Sequence, residues 1–347
     1  MNARALLFLL ILLLPLQALA QGFAGLGTSQ GGFTNPDKAT VLQFPADHGP
    51  HPDFRIEWWY MTANVTAPDG KAYGLQWTLF RSALAPTEKA GWASPQLWMG
   101  HAAITTPTAH FVTERLARGG IGQAGVRAAP FSAWIDDWAM EGQNFEQLRL
   151  KASGTNFAYD VGLTATGPLV LHGENGYSVK SATGQASHYY SQPFFKLAGT
   201  LSLPEGKIAV TGTAWLDREW SSQLLAADQT GWDWFSLSFD SGDKMMGFVL
   251  RGSSNYTAAT WIAADGTASA LPNGAFSAMP LANHSVAGRS VPVEWRVRLP
   301  DKGLDVTVKA LNRDAWMKTS VPYWEGPVVL SGSHEGVGYL EMTGYDD

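Results

Sequence analysis

The sequence predicts an all-β fold made of short antiparallel strands. Two stretches, KAYGLQWTLFRS at 71–82 and VEWRVRL at 293–299, alternate their side chains with the period of two that is typical of strands. The Asp-Gly turns at 69–70 and 265–266 suit hairpins between such strands. Antiparallel strands that must hide their edges usually close into barrels or sandwiches. We therefore expect an all-β, barrel-forming chain.

A faint internal repeat predicts two such barrels in tandem. The segment 57–81 contains paired tryptophans, a strand, an Asp-Gly turn and a closing Phe-Arg. The segment 231–251 repeats this outline, again starting with closely spaced tryptophans and ending in arginine. We predict an N-terminal unit at 40–226 and a C-terminal unit at 227–347, and two fused up-and-down barrels fit this division.

The first 39 residues are predicted to lie outside the barrels. Residues 1–20 have a short basic start, an apolar stretch and a closing Ala-Leu-Ala, which is the pattern of a cleaved signal peptide. The alternative is a membrane anchor, but the stretch falls short of ~20 uninterrupted apolar residues and contains Pro15. We expect a periplasmic or secreted protein that starts at Gln21, with a flexible, Gly-rich lead-in at 21–39.

Composition excludes several function classes. The chain has no cysteine, which excludes disulfides, a thiolate nucleophile and Cys-ligated zinc. Its net charge of −6 gives no basic patch for nucleic acid. Fifteen Trp, 16 Phe and 10 Tyr residues are enough to line a large apolar cavity or to build a large aromatic core. No metal-ligand set or nucleophile elbow is recognisable, so we expect no metal and no cofactor.

The first candidate site combines charged and aromatic side chains at the start of the N-terminal unit. In a strand, Glu57 and Trp59 face one way, and Gln76 and Arg81 follow on the next strand. A buried Glu57 needs a partner, which Arg81 or Arg55 would supply. These residues are either ligand-binding groups or a structural ion pair where the barrel closes.

The second candidate site joins the stretches SHYYSQP at 187–193 and TAWLDREWSS at 213–222. His188 and Tyr190 share one strand face, and Trp215 and Asp217 share another with Glu219. Among aromatic rings, desolvation raises the pKa of Asp217 and favours the neutral acid, which is a proton donor. A nearby His188 would orient water or take the proton back.

A structural interpretation of the same residues stays open. Asp217 would then pair with Arg218 of a neighbouring strand, and His188 would be a satisfied core histidine. Glu219 and Arg218, together with Trp232 and Trp234 at the start of the second unit, complete the set of candidate ligand-binding residues.

With these motifs in hand, the chain resembles the AttH-like, CrtC-like group of secreted lipocalin-like proteins, which includes carotenoid 1,2-hydratases and predicted hydrolases. The resemblance covers nearly all of 40–347 and rests on an ordered series of motifs, among them EWWY, GHAAIT, FSAWIDDW, SHYYSQP, TAWLDREWSS, GWDWFSL and YWEGPVVLSG.

The resemblance implies two lipocalin-like β-barrel domains and a candidate mechanism. In the hydratases an aspartate is thought to protonate a terminal C=C bond, after which water adds to the cation. Matched by motif, that acid is Asp217 and the assisting histidine is His188. Hydratases tend to have Trp at the position of Tyr190 and Tyr at the position of Trp215, so this chain moves a hydroxyl between strands.

Two function classes follow. One is an enzyme that hydrates an alkene, or carries out a related hydrolysis, on a long isoprenoid, carotenoid or lipid. The other is a periplasmic carrier of such a ligand that works with an ABC-type export system, as the family's AttH members suggest. An enzyme requires Asp217 in the cavity, unpaired by Arg218 and near His188, whereas a carrier predicts a salt-bridged Asp217. A weaker alternative, carbohydrate binding, predicts exposed tryptophans.

Overall fold

A computed structural model describes residues 31–223 and 225–345 and confirms the predicted all-β fold. The described residues form two antiparallel sheets, each curled on itself into a barrel-like domain. The predicted signal peptide lies outside the described residues, as does the lead-in up to residue 30.

The N-terminal sheet has thirteen strands among the described residues. They are β1 (Ile56–Thr66), β2 (Ala72–Ala83), β3 (Gln96–Thr105), β4 (His110–Arg118), β5 (Ala124–Arg127), β6 (Phe131–Ile135), β7 (Trp138–Asn144), β8 (Gln147–Ser153), β9 (Ala158–Ala165), β10 (Val170–Leu171), β11 (Tyr177–Val179), β12 (Ala186–Leu203) and β13 (Gly206–Ser221).

The C-terminal sheet has ten strands in the described part of the chain. They are β14 (Gly231–Phe239), β15 (Lys244–Arg251), β16 (Tyr256–Ile262), β17 (Ala268–Leu271), β18 (Ser277–Val286), β19 (Arg289–Leu299), β20 (Leu304–Ala310), β21 (Trp316–Met317), β22 (Tyr323–Gly332) and β23 (Gly336–Met342).

In the described part of the chain, helix is confined to short 3₁₀ turns. The described residues contain such turns at Ala46–His48, Gly91–Ala93 and Pro300–Lys302. Within the same residues, no helix has the length and apolar character needed to cross a membrane.

Strand order explains how the N-terminal sheet closes. Its main path runs β4-β3-β2-β1-β13-β12-β9-β8-β7-β6-β5, so strands distant in sequence become neighbours at β1 and β13. Gly100 of β3 lies against the far side of the curl, where a Cβ atom would stand 2.7 Å from Ile135 of β6. The interior is filled by the inward-facing aromatic and aliphatic residues of both halves, such as Trp59, Trp77 and Trp138.

The C-terminal sheet follows the order β17-β16-β15-β14-β23-β22-β20-β19-β18 and has a core of its own. The chain passes from one sheet to the other between Ser221 and Gly231. The boundary predicted between 226 and 227 falls in this connection, and the autonomy of the two units stays a prediction.

The two sheets pack through their outer faces. Tyr60 and Trp215 of the first sheet share a buried aromatic cluster with Trp234 and Phe248 of the second. The approach is close at Gly74, where an added Cβ would stand 2.5 Å from Pro327. This face-to-face packing positions the site.

Candidate active site

The candidate site lies between the two domains. Side chains alternate along each strand, so β1 sends Trp59 into its own barrel and Tyr60 outward. On β13, Trp215 likewise points outward and Leu216 inward. The outward-facing side chains of the first sheet therefore contact the second sheet.

Between these faces lies a cavity of about 310 Å³. This volume is at the lower end of the range for small-molecule sites. Its wall is mostly apolar and includes, among others, Trp58, Tyr60, Phe80, Leu97, Met99, His101, Leu116, Lys180, Tyr189, Asp217, Glu219, Trp232, Trp234, Phe248, Leu250, Tyr323 and Glu341. Leu97 and Leu116 are also solvent-exposed, so they mark the mouth of the cavity.

Asp217 is the buried acid in the N-terminal wall. Its Oδ1 atom accepts hydrogen bonds from the Ser191 hydroxyl and from Trp215 Nε1, the latter at 2.7 Å. Burial raises the pKa of Asp217 to about 7, although these two hydrogen bonds act in the opposite direction. At neutral pH this carboxyl therefore carries a proton for a substantial part of the time.

Arg218 does not neutralise Asp217, because the two side chains leave the strand on opposite faces. Arg218 points into the barrel, where its Nη2 lies 3.1 Å from Glu57 Oε2. No ion pair joins Asp217 to any described lysine or arginine. Asp217 therefore lies in the cavity and is not paired with Arg218, as an enzyme requires. The salt bridge expected of a carrier is not formed.

The expected contact between His188 and Asp217 is not formed, and this part of the prediction is wrong. In the register of β12 and β13, His188 is opposite Trp220, and Ser191 is opposite Asp217. His188 and Tyr190 therefore face the barrel interior. Ring contacts place His188 against Phe54 and Trp220.

Tyr190 belongs to a buried polar cluster of the N-terminal barrel, which we call the plug and which consists of His48, His51, Glu57, Arg81, Tyr190 and Arg218. Its hydroxyl lies 2.7 Å from Nδ1 of His48, in the 3₁₀ turn Ala46–His48. Compared with the hydratases, this chain has its tyrosine hydroxyl at position 190 instead of 215. The Tyr190 hydroxyl bonds to the 3₁₀ turn and does not line the cavity.

Glu57 belongs to the same plug and forms the ion pair that was one of its two interpretations. It pairs with Arg81 and Arg218, and its Oε2 lies 3.1 Å from His51 Nδ1. Burial opposes the ionisation of Glu57, but the charges of Arg81 and Arg218 and the hydrogen bond to His51 hold its pKa below the usual range. The Arg218 guanidinium stacks over the Trp59 ring, with its Cζ atom 3.8 Å from the ring centre.

Glu57 and Arg81 still border the cavity at its edge. Gln76 does not reach it. Its side chain is buried and donates to the Thr78 hydroxyl at 2.6 Å.

A buried lysine, Lys180, also lines the cavity, and the sequence analysis did not single it out. Its Nζ lies 2.9 Å from Glu219 Oε1 and 4.0 Å from the centre of the Phe248 ring. Burial lowers the pKa of Lys180, while Glu219 acts against this shift. Glu219 is therefore matched by a cation, which leaves Asp217 as the unpaired acid of this wall.

Glu341 of the second domain lines the same cavity as Asp217, and Glu325 lies beside it on the next strand. Glu341 of β23 is opposite Glu325 of β22 in the strand register. Two carboxyls in direct cross-strand contact cannot both ionise cheaply. Trp232 donates its indole N–H to Glu341 at 2.7 Å, and Tyr60 donates its hydroxyl to Glu325.

Desolvation raises the pKa of Glu341 to about 7, and the charges of Asp217 and Glu219 contribute to the rise. The pKa of Glu325 is raised well above its ordinary value, first by burial and then by Glu341. Neither residue was a sequence candidate, although Glu325 lies in the quoted motif YWEGPVVLSG.

His101 and Tyr323 are further polar residues of the cavity wall that the sequence analysis missed. His101 Nδ1 lies 2.9 Å from the Tyr323 hydroxyl, and its Nε2 lies 3.1 Å from Glu114. The GHAAIT motif of the resemblance contains this histidine, but a single histidine in an apolar strand gave no indication of a role.

The cavity tryptophans are directed inward. Trp234 is 2% exposed and donates its indole N–H to the Tyr189 hydroxyl, which does not fit the exposed platforms expected of carbohydrate binding. Among residues 31–223 and 225–345, no cluster of three or more His, Asp or Glu side chains is arranged to hold a metal ion.

Comparisons with known proteins agree with this architecture. The family model described as AttH-like matches residues 35–345. A crystal structure of an AttH protein from Nitrosomonas europaea is 33% identical and covers 90% of this chain and 100% of its own, with a TM-score of 0.81. This match confirms the predicted family resemblance and the predicted lipocalin-like, two-barrel fold.

Two more distant structures share the fold. Kievitone hydratase from Nectria haematococca is 16% identical and covers 91% of this chain and 98% of its own, with a TM-score of 0.67. CghA, solved with Sch210972, is 12% identical and covers 92% and 98%, with a TM-score of 0.56. A search of curated proteins gives no match.

Proposed function

This chain belongs to the AttH-like family, and we propose that it is a hydratase-type enzyme that adds water to a C=C bond of a hydrophobic ligand held between its two domains. Asp217 is the proton donor. The proposed ligand is an isoprenoid, a carotenoid or another lipid with an isolated double bond, and the proposal requires no cofactor.

The observation that carries the proposal is the state of Asp217. It is a buried carboxyl, without an ion pair, in the wall of an apolar cavity, and its pKa is raised to about 7. A general acid works best when its pKa lies near the operating pH. The fold shared with a protein named kievitone hydratase adds support at the level of the fold.

The cavity suits a reaction that passes through a carbocation. Protonation of the double bond moves the Asp217 proton to one carbon and leaves a cation on the other. The rings of Tyr189, Trp232 and Trp234 border this space, and ring faces stabilise cations by about 0.5–2 kcal/mol each. A volume of about 310 Å³ accommodates the reacting end of a long ligand, with the rest leaving past Leu97 and Leu116.

Glu341 is the proposed base. A pKa of about 7 leaves part of the population ionised at neutral pH, and this carboxylate faces the same cavity from the other domain. Water adds to the cation through oxygen, and its released proton passes to Glu341. The two acids thus divide the roles of donor and acceptor, as pairs of perturbed carboxyls do in other enzymes.

The test is turnover on a panel of acyclic isoprenoids, geranylgeraniol and lycopene included, in H₂¹⁸O with product detection by mass spectrometry. We expect an ¹⁸O-labelled alcohol from the wild type and a loss of about 10²-fold or more for Asp217→Asn. The exposed Asp301→Asn serves as the matched control. Equal turnover by Asp217→Asn and wild type would refute the assignment.

The second candidate function is a carrier for the same class of ligand. It is favoured by the exposed Leu97 and Leu116 at the cavity mouth, which suit transfer of an apolar molecule. A periplasmic or secreted location and an ABC-type export partner belong to this proposal. Native mass spectrometry of the protein from its own host separates the two: a retained saturated lipid, with no turnover of the panel, supports the carrier.

A further inference from the structure

Lys180 places a buried amine in the wall of the interdomain cavity, and the proposed hydration does not use it. The residue lies in the loop between β11 and β12, and its side chain is almost fully buried. The backbone is fixed on both sides of the residue. The Lys180 N–H donates to the Gln185 carbonyl at 2.7 Å, and the Lys180 carbonyl accepts from Gln229 Nε2 at 3.0 Å. The side chain therefore starts from a well-defined position in the wall.

The groups around the Lys180 amine are those that stabilise a buried cation. Its Nζ lies 2.9 Å from Glu219 Oε1, and 4.0 and 4.7 Å from the ring centres of Phe248 and Tyr189. Ser187 donates its hydroxyl to the same Glu219 oxygen, which fixes the carboxylate. Glu219, Phe248 and Tyr189 line the cavity together with Lys180. The amine therefore borders the space in which a ligand is held.

Stability alone is a weak reason for this ion pair. Removing a lysine and a glutamate from water is costly, and apolar side chains of similar volume often give an equally stable core. Burial also lowers the pKa of Lys180, although Glu219 acts against this shift. A lysine in an apolar site gives up its proton more readily than an exposed one, and the neutral amine is a nucleophile toward carbonyl groups.

The charges of the cavity wall select among ligand classes. Asp217, Glu219 and Glu341 border the same space, so an anionic head group would meet carboxyls, and a cationic one would meet Lys180. An aldehyde is uncharged. Its condensation with a lysine retains the cation, because the product is a protonated imine. The pairing with Glu219 and the contacts with the two aromatic rings are then kept.

We propose that Lys180 is a covalent attachment site that holds an apolar aldehyde, such as an isoprenoid aldehyde, as a protonated imine in the interdomain cavity. The proposal goes beyond the proposed hydration, since it needs neither the addition of water to a double bond nor a proton from Asp217. The two share only the cavity and the apolar character of the ligand.

Glu219 acts first as the base and then as the acid of the condensation. Its carboxylate takes a proton from the Lys180 ammonium, and the nitrogen lone pair forms a bond to the aldehyde carbon. The C=O π electrons move to oxygen, which takes a proton from nitrogen and gives a carbinolamine. Glu219 then returns its proton to the carbinolamine oxygen, water leaves, and the nitrogen lone pair forms the C=N bond.

The condensation balances and can be reversed. Ammonium plus aldehyde gives protonated imine plus water, with no change of charge in the cavity. Glu219 ends as the carboxylate it was at the start, so it is ready for the reverse reaction. Water that enters the cavity then hydrolyses the imine and releases the aldehyde.

Reductive trapping with farnesal tests the attachment site. Cyanoborohydride reduces the imine to a secondary amine, which adds the mass of farnesal less one oxygen atom to the protein. We expect this adduct on the peptide that contains Lys180. Excess farnesol, which has the same chain but no carbonyl group, should compete for the cavity and suppress the adduct.

Matched variants separate the amine from its charge. Lys180→Arg keeps a cation opposite Glu219 but has no amine that condenses with an aldehyde, so the farnesol-sensitive adduct should be lost. Lys244→Arg is the control, because Lys244 is also buried but lies outside this cavity wall, and it should leave the adduct unchanged. Should Lys180→Arg fail to fold, Lys180→Met combined with Glu219→Gln removes both charges together and should lose the adduct as well.

Retinal gives a readout that a merely structural ion pair would not move. A protonated imine of retinal absorbs at longer wavelength than the free aldehyde, whereas an unprotonated imine does not. We expect the long-wavelength band with wild type. It should be lost in Glu219→Gln, which has no counter-charge for the protonated imine, while the trapped adduct remains. Asp217→Asn should keep both the band and the adduct.

The outcomes separate this site from the proposed hydration. Farnesal adducts on exposed lysines, with Lys180 unmodified, would overturn the proposal, as would a farnesol-sensitive adduct that persists in Lys180→Arg. A Lys180 adduct in a protein that turns over no member of the isoprenoid panel leaves the attachment site standing and removes the proposed function. Turnover of the panel without any Lys180 adduct does the reverse.

Discussion

Replacing Asp217 by asparagine should make the folded protein more stable at neutral pH, because the acid is held where its charge is costly. Its pKa rises on folding from 3.8 to about 7, mainly by burial. Between these values the folded protein keeps a proton that the unfolded chain has lost. The free energy of unfolding therefore falls as the pH rises through this window, and the loss is complete above it.

The magnitude follows from the width of that window. Each pH unit between the two pKa values costs about 1.4 kcal/mol, so the full destabilisation is about 4 kcal/mol above pH 7. Asparagine keeps the shape and an oxygen that accepts from Ser191 and Trp215, but it has no charge. We expect Asp217→Asn to match the wild type near pH 4 and to exceed it by up to about 4 kcal/mol above pH 7.

Urea unfolding of both proteins at several pH values measures this difference. Asp160→Asn is a control of opposite sign, because Arg149 hydrogen-bonds Asp160 and lowers the pKa of its carboxyl. That variant should be less stable than the wild type at neutral pH, with the difference vanishing in acid. A pH-independent difference between wild type and Asp217→Asn would refute the reasoning.

Three further predictions concern the plug, the domain contact and the reaction. Glu57→Gln leaves the buried Arg81 without its counter-charge and should destabilise the N-terminal domain by about 3–5 kcal/mol, measured as a lower midpoint of thermal unfolding. Gly74→Val should loosen the domain contact at Pro327 and increase hydrogen exchange on both facing sheets, with little change inside the barrels. Turnover should peak near pH 7, because it falls above that pH as Asp217 loses its proton and below it as Glu341 gains one. A rate that keeps rising above pH 7 would contradict the role of Asp217 as the acid.

The sequence predicted the fold well because period-two alternation and Asp-Gly turns are local signals. Alternation also placed side chains on the correct shared faces: His188 with Tyr190, and Trp215 with Asp217. It could not relate one strand to the next, because a shift of one residue in register exchanges the faces that meet. The register of β12 and β13 puts Ser191, not His188, beside Asp217.

The position of the cavity was not predictable for a related reason. The strand patterns show which side chains share a face, but not which face turns toward the other domain. Glu341 lies far from Asp217 in sequence and reaches the same cavity only through the packing of the two sheets, whereas Lys180 enters it from the loop between β11 and β12 of the first sheet.

The most direct measurement of the central claim is the titration of the Asp217 carboxyl itself. Carbon NMR of protein labelled with ¹³C at the aspartate side-chain carboxyl, with Asp217→Asn used to assign the signal, reports the protonation state without any ligand. The account predicts a midpoint near 7, so that the acid holds a proton at neutral pH. A carboxyl already ionised at pH 5 would contradict the account, because Asp217 would then have no proton to give.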